Sequence, residues 1–283
     1  MPFETISELR SWEPPYNPEV ISHGVLPAGG RLVIFGDPKS WKSNLTTDLA
    51  YAISTGTKWL GFSTSKCLAL VYQAELPKAV HKKRTVKYLD NCSHTNGNSP
   101  MLMFNTVDYN KLDTLHGLVN LEKELAIVEK RFPSQHIVLL IDPLYKIFSG
   151  HISDEFEARR LFDNLDKVKS QHDMSIVIVH HSRQSLVSSD GKPVDMGADE
   201  AKGTSTLKDW CDTMIRVKLL NPQPKPGDET RIAVVLSRHA EATIPIFDIR
   251  WSRATLHPTI INTITSEQFE AMEEEDISIR HLL

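Results

Sequence analysis

From residue 31 onward, short runs of aliphatic and β-branched residues alternate with longer stretches in which apolar side chains return every third or fourth position. Such alternation predicts an α/β fold, a mostly parallel central sheet flanked by helices. The run "RLVIFG" (31–36) is the first strand. Leu45, Leu49, Ala52 and Ile53 then recur at helical spacing, so a helix is predicted to begin near Lys42. "CLALVYQAE" (67–75) reads as the second strand, and Pro77 suits the first turn of a helix running to about Leu89. "MLMFN" (101–105) reads as a strand and residues 112–131 as a helix. "HIVLLID" (136–142) and "SIVIVHH" (175–181) are near-continuous apolar runs, as buried parallel strands require. Between them Ser153 is placed to cap a helix whose inner face is Ala158, Leu161, Phe162, Leu165 and Val168. "TMIRVKLL", "RIAVVLSR" and "IPIFDIRW" read as later, antiparallel strands, the first two joined by the turn-rich "NPQPKPGDET".

Composition changes at three places. Pro14, Pro15 and Pro18 make residues 1–23 an extended arm and argue against a helix there. "NCSHTNGNSP" (91–100) reads as a surface loop, and residues 182–206 turn to Gly, Ser, Asp and Lys, as functional or mobile loops do. The end "EQFEAMEEED" is acidic, so residues 256–283 read as a solvated tail after one domain spanning 24–255.

The 283 residues carry a formal net charge of −4, so the overall field does not advertise a nucleic-acid partner, and any such contact needs a local basic patch. Cys67, Cys92 and Cys211 give neither a disulfide framework nor a zinc spacing and read as buried, reduced thiols. No stretch approaches the ~18 apolar residues of a membrane span, and a cytoplasmic protein is expected.

The chemistry centres on "GDPKSWKS" (36–43). A phosphate-binding loop needs glycine for close backbone approach, a lysine for the terminal phosphates and a hydroxyl for Mg²⁺. Gly36, Lys42 and Ser43 have that spacing, with Asp37, Pro38, Lys39, Ser40, Trp41 and Asn44 completing the loop and the first helical turn. A strand leads in and a helix leads out, which sets the helix N-terminus against the anion. Trp41 stands where such loops carry their last glycine, so its ring is expected to turn away from the phosphates, onto the adenine side or a neighbouring subunit. Lys39 either reinforces phosphate binding or faces solvent. Asp142 ends the apolar run "IVLLID", the position of an acid in the magnesium shell. Glu75 ends the second strand, where a carboxylate points into the crevice at the C-terminal sheet edge. His180 and His181 end a third strand at that edge, where a histidine can sense a γ-phosphate; their alternation across the strand disfavours joint metal ligation.

"LPAGGRLVIFGDPKSWKS", "VYQAELPKAVHKKR", "IVLLIDPL", "VIVHHSR" and "GTSTLKD", in that order, resemble the motifs of RecA-type P-loop ATPases, in particular the hexameric helicases of the RepA kind from plasmids, phages and mobile elements. The resemblance covers roughly residues 22–250. It implies a RecA-like core that binds ATP and Mg²⁺, with Lys42 and Ser43 serving the phosphates and the metal. Glu75 would polarise the attacking water, Asp142 would hold the magnesium shell, and His181 would sense the γ-phosphate. Arg84, in "HKKR", matches a basic residue of the family. Arg238, in "VVLSRHA", matches the late-strand position from which a cation is donated in trans, while Asp212 stands where the plasmid helicases carry an arginine. The resemblance further implies a homo-oligomeric ring, with single-stranded DNA in a channel lined by loops near 144–156 and 182–205. Arg183, Lys192 and Lys202 are the cations of the second loop, among Asp190, Asp195, Asp199 and Glu200.

Two functions follow. One is an ATP-driven helicase or translocase, probed by DNA-stimulated turnover, which would act as a bare motor or depend on partners, such as replication or mobile-element proteins, for loading. The alternative is a nucleotide-switched ATPase that assembles on DNA or a protein without unwinding.

Overall fold

The computed structural model describes residues 4–13, 19–92, 99–106, 111–182, 197–201, 205–220, 228–265 and 267–268. Its strands are β1 (Glu19–Ile21), β2 (Leu26–Pro27), β3 (Arg31–Gly36), β4 (Leu68–Gln73), β5 (Leu102–Asn105), β6 (Ile137–Asp142), β7 (Met174–His181), β8 (Thr213–Leu219), β9 (Glu229–Ser237), β10 (Ile246–Trp251) and β11 (Pro258–Ile264). The helices are α1 (Ile6–Ser11), α2 (Lys42–Thr55), α3 (Lys78–Leu89), α4 (Leu115–Arg131), α5 (Glu155–His172) and α6 (Ser205–Trp210).

Nine strands form one sheet in the order β11-β10-β9-β8-β3-β7-β6-β4-β5. The pairs from β8 through β5 are parallel, whereas β8–β9, β9–β10 and β10–β11 are antiparallel. This is the α/β sheet expected of a RecA-like core. Both faces of the parallel strands are covered, which explains their uninterrupted apolar runs. Along β3, Val33 and Phe35 pack with Leu161, Phe162 and Leu165 of α5. Their neighbours Leu32 and Ile34 pack on the opposite face with Leu45 and Leu49 of α2. The helical spacings read from the sequence are therefore the core-facing stripes of α2 and α5.

Because β3, β4, β6 and β7 run parallel, their C-terminal ends share one edge. Register aligns Gly36 with His181 and Gln73 with Asp142 along it. Ligands of open α/β sheets bind in the crevice at this edge.

Four expectations about elements need correction. Residues 1–23 contain a helix, α1, because Thr5 and Glu8 form a reciprocal capping box ahead of the prolines. Val20 and Ile21 of β1 are buried with the α2 side of the core, so the folded body begins before residue 24. β11 extends the sheet past residue 255 by pairing with β10. The cap of α5 is Asp154 rather than Ser153, its Oδ1 accepting the Glu157 N–H at 2.9 Å. Among the described residues, no helix is long and apolar enough to cross a membrane.

Candidate active site

The segment joining β3 to α2 is shaped by its backbone. A Cβ on Gly36 would lie 2.1 Å from the carbonyl oxygen of Val217 on β8, so only glycine fits where the strand ends. Lys39 (φ 66°) and Trp41 (φ 68°) are left-handed, and Ser40 closes the turn by donating its hydroxyl to the Asp37 carbonyl at 2.8 Å. The carbonyl of Trp41 then accepts the N–H groups of Asn44 and Leu45, both at 3.0 Å, and starts α2. The loop is tied to β7, since Ser182 donates its N–H to the Gly36 carbonyl at 3.1 Å and its hydroxyl to the Asp37 carboxylate.

Lys42 is buried at the head of α2. Its Nζ donates to the carbonyls of Gly36 (2.8 Å) and Asp37 (2.5 Å) and to Ser40 Oγ (3.3 Å). Burial lowers its pKa to about 8, against the opposing charges of Asp142, Asp37 and Glu75. Asp142 is also buried, and desolvation raises its pKa to about 6. The charge of Glu75 adds to that rise, while the Ser43 hydroxyl, Lys42 and Gln73 oppose it. Gln73 Nε2 donates to Asp142 Oδ2 at 3.2 Å, and Gln73 Oε1 accepts the N–H of Glu75 (2.9 Å) and of Leu76 (3.1 Å). One side chain thus positions the backbone of one candidate carboxylate and touches the other.

These groups open onto a cleft of about 710 Å³, within the usual ~300–1,000 Å³ of small-molecule sites. Glu75, Arg84, Asp142 and His181 line it together with the whole of residues 38–44. His181 reaches the cleft while His180 is buried behind it. A hydroxyl and a carboxylate already in contact, Ser43 and Asp142, fit a hard cation held by few protein oxygens, as magnesium is. No group of three or more His, Cys, Asp or Glu suited to a metal occurs among the described residues.

Arg238 does not join this cleft within one chain. It follows β9 beside the start of β8, at the opposite sheet edge, where its guanidinium donates to the carbonyl of Cys211 at 3.0 Å and to those of Lys208 and Asp209 at 3.3 Å. Asp212 accepts from Arg31 Nε at 3.2 Å and contacts His239 at the same distance. Arg183, Lys192 and Lys202 lie outside the described residues.

Sequence reading missed Gln73, Ser182, Trp251 and Arg253. The indole of Trp41 lies on Trp251 of the same chain, centroids 5.4 Å apart with planes within 1°. Arg253 also lines the cleft, its guanidinium carbon 5.9 Å from the centroid of the Trp41 ring. Only the three-dimensional return of β10 brings these residues to the loop.

A family model described as "AAA domain" matches residues 2–185. The chain belongs to the AAA domain family. The matched region holds the loop, Glu75, Asp142 and His181, whereas Arg238, Trp251 and Arg253 follow it. No curated protein matches the chain by sequence. Among solved structures, the ATPase domain of G40p superposes with a TM-score of 0.63 at 11% identity, covering 90% of this AAA domain chain and 95% of that one. A DnaB-like replicative helicase, described with its interactions with primase, gives a TM-score of 0.62 at 11% identity, covering 89% of this chain and 66% of that one. At this identity the likeness is one of fold.

Proposed function

We propose that the cleft binds ATP with Mg²⁺ and hydrolyses its terminal phosphate bond, and that the chain works as a motor on single-stranded DNA within a ring of its own copies, six by analogy of fold. The observation that carries the reading is the convergence of Lys42, Ser43, Glu75, Asp142 and His181 on one cleft at one sheet edge. In this reading the Lys42 ammonium exchanges the loop carbonyls for phosphate oxygens, and the head of α2 supplies backbone donors to the same anion. Ser43 and Asp142 would hold the magnesium ion, which when bound neutralises charge on the phosphate oxygens. Glu75, exposed beyond its Gln73-anchored backbone, orients the attacking water as general base. His181 and Arg84 face the phosphates from the other walls, and the bond from Ser182 to Asp37 links loop occupancy to the segment that follows β7.

Arg238 is exposed at the far edge, so it serves hydrolysis only in the cleft of an adjacent copy, as the trans-acting cation. Arg183, Lys192 and Lys202 are the proposed DNA contacts. The deciding experiment measures ATP turnover with and without single-stranded DNA, alongside mass in solution with a non-hydrolysable analogue. DNA-stimulated turnover by a multimer is the expected result. Unstimulated turnover by a persistent monomer would remove the motor and leave an ATPase.

A further inference from the structure

Phosphates held at the head of α2 leave the nucleoside to occupy the rest of the cleft, and the wall available there includes the turn between β10 and β11. That turn is rigidly held. Ser252 donates its N–H to the His257 carbonyl at 3.0 Å, Leu256 donates to the Ser252 carbonyl at 2.7 Å, and Lys87 Nζ on α3 donates to the Arg253 carbonyl at 2.6 Å. The Arg253 guanidinium is fixed as well, its Nε donating to Asp228 Oδ2 at 2.7 Å and its Nη2 reaching Oδ1 at 2.6 Å.

This two-pronged pair sets the plane of the guanidinium and offsets its charge. Such a group is a weak phosphate ligand and a good stacking surface, because guanidinium planes stack on aromatic rings whether or not their charge is matched. Beneath it the indole of Trp41 is backed in turn by Trp251, which is buried. These ring contacts tie the phosphate loop to the C-terminal hairpin, and of the three residues Arg253 and Trp41 line the cleft, Arg253 being the more exposed.

Resting on the nucleotide reading above, we infer that the base of the bound nucleotide stacks on the Arg253 guanidinium, with Trp41 and Trp251 as its footing. Trp41 is then a structural part of the base subsite: it carries the plate on which the base lies. Stacking reads ring area, so purine nucleotides are favoured over pyrimidine ones.

The test is equilibrium binding of ATP and of inorganic tripolyphosphate, each with Mg²⁺, to the full chain and to its Arg253→Ala and Arg253→Lys variants. Lysine keeps a cation for Asp228 and guards against loss of the fold, but has no plane. Both variants are expected to bind ATP roughly threefold to tenfold more weakly, the scale of one exposed cation–π or stacking contact. Tripolyphosphate binding is expected to stay unchanged. Unaltered ATP affinity in both variants would overturn the inference, as would a parallel loss of tripolyphosphate binding, which would make Arg253 a phosphate ligand. Failure of the unsubstituted chain to bind either ligand would remove the nucleotide reading itself.

Discussion

Gln73 and Asp142 sit side by side across the parallel β4–β6 pair, the carboxamide of the first donating to the carboxylate of the second at 3.2 Å. The other end of the same carboxamide fixes the backbone of Glu75. Substituting Gln73→Ala is therefore expected to loosen both carboxylates while leaving the phosphate loop intact. The expected outcome is a fall in kcat of about 10-fold to 100-fold, the scale seen when partners of ligating groups are lost, with little change in KM for ATP. Steady-state kinetics distinguish this from a binding defect, which would move KM instead.

Asp142 makes stability depend on pH. Its folded-state pKa is raised from 3.8 to about 6, so between those values the folded chain holds a proton that the unfolded chain has released. The resulting stabilisation is complete below the unfolded pKa and is lost as pH rises through about 6. A carboxamide at this position does not titrate and so escapes that loss. The Asp142→Asn variant is expected to gain on the parent between about pH 4 and 6, by up to roughly 3 kcal/mol, and to stay ahead at pH 7 while losing hydrolysis. Thermal melts of both proteins across that range check the sign; a gain that shrinks as pH rises would contradict it.

Gly36→Ala drives a methyl group to 2.1 Å from the Val217 carbonyl oxygen, a backbone atom of the neighbouring central strand β8 that cannot swing aside as a side chain would. A loss of about 1–3 kcal/mol or more is expected, read as a lowered denaturation midpoint with an unchanged slope.

Trp41→Gly removes a left-handed non-glycine residue, relieving ~1–2 kcal/mol, but also removes an aromatic stack worth ~0.5–1.5 kcal/mol beyond its buried area. Loss of the ring's buried area adds to the second effect, so a net loss of stability is expected, read as a lowered melting temperature, with no gain in ATP affinity. Markedly tighter ATP binding by the glycine variant would show the tryptophan to be a defect in the loop.

The sheet and its central helices were legible because each buried parallel strand is a continuous apolar run and each covering helix has a distinct stripe, as in "IVLLID" and in Leu161, Phe162 and Leu165. The loop was legible because phosphate chemistry confines Gly36, Lys42 and Ser43 to a short local spacing. Other parts depend on partners distant in sequence. Gln73 matters only because register sets it beside Asp142, and Trp251 and Arg253 only because β10 returns antiparallel to the parallel strands. β11 carries no clear strand signal because five of its seven residues are exposed, which leaves little apolar alternation to mark an edge strand. In α1 the local capping box set the conformation, while the prolines that follow it directed the reading toward an extended arm.

The most direct measurement is phosphate release from ATP by the full chain and by its Glu75→Gln variant, each with and without Mg²⁺, with nucleotide binding followed in parallel. Glutamine keeps the size of the side chain and cannot take a proton from water. Magnesium-dependent release by the parent is expected, with roughly a 100-fold loss or more in the variant and retained ATP binding. Equal release from the two proteins would contradict the role of Glu75, and the absence of binding or release in the parent would contradict the site itself.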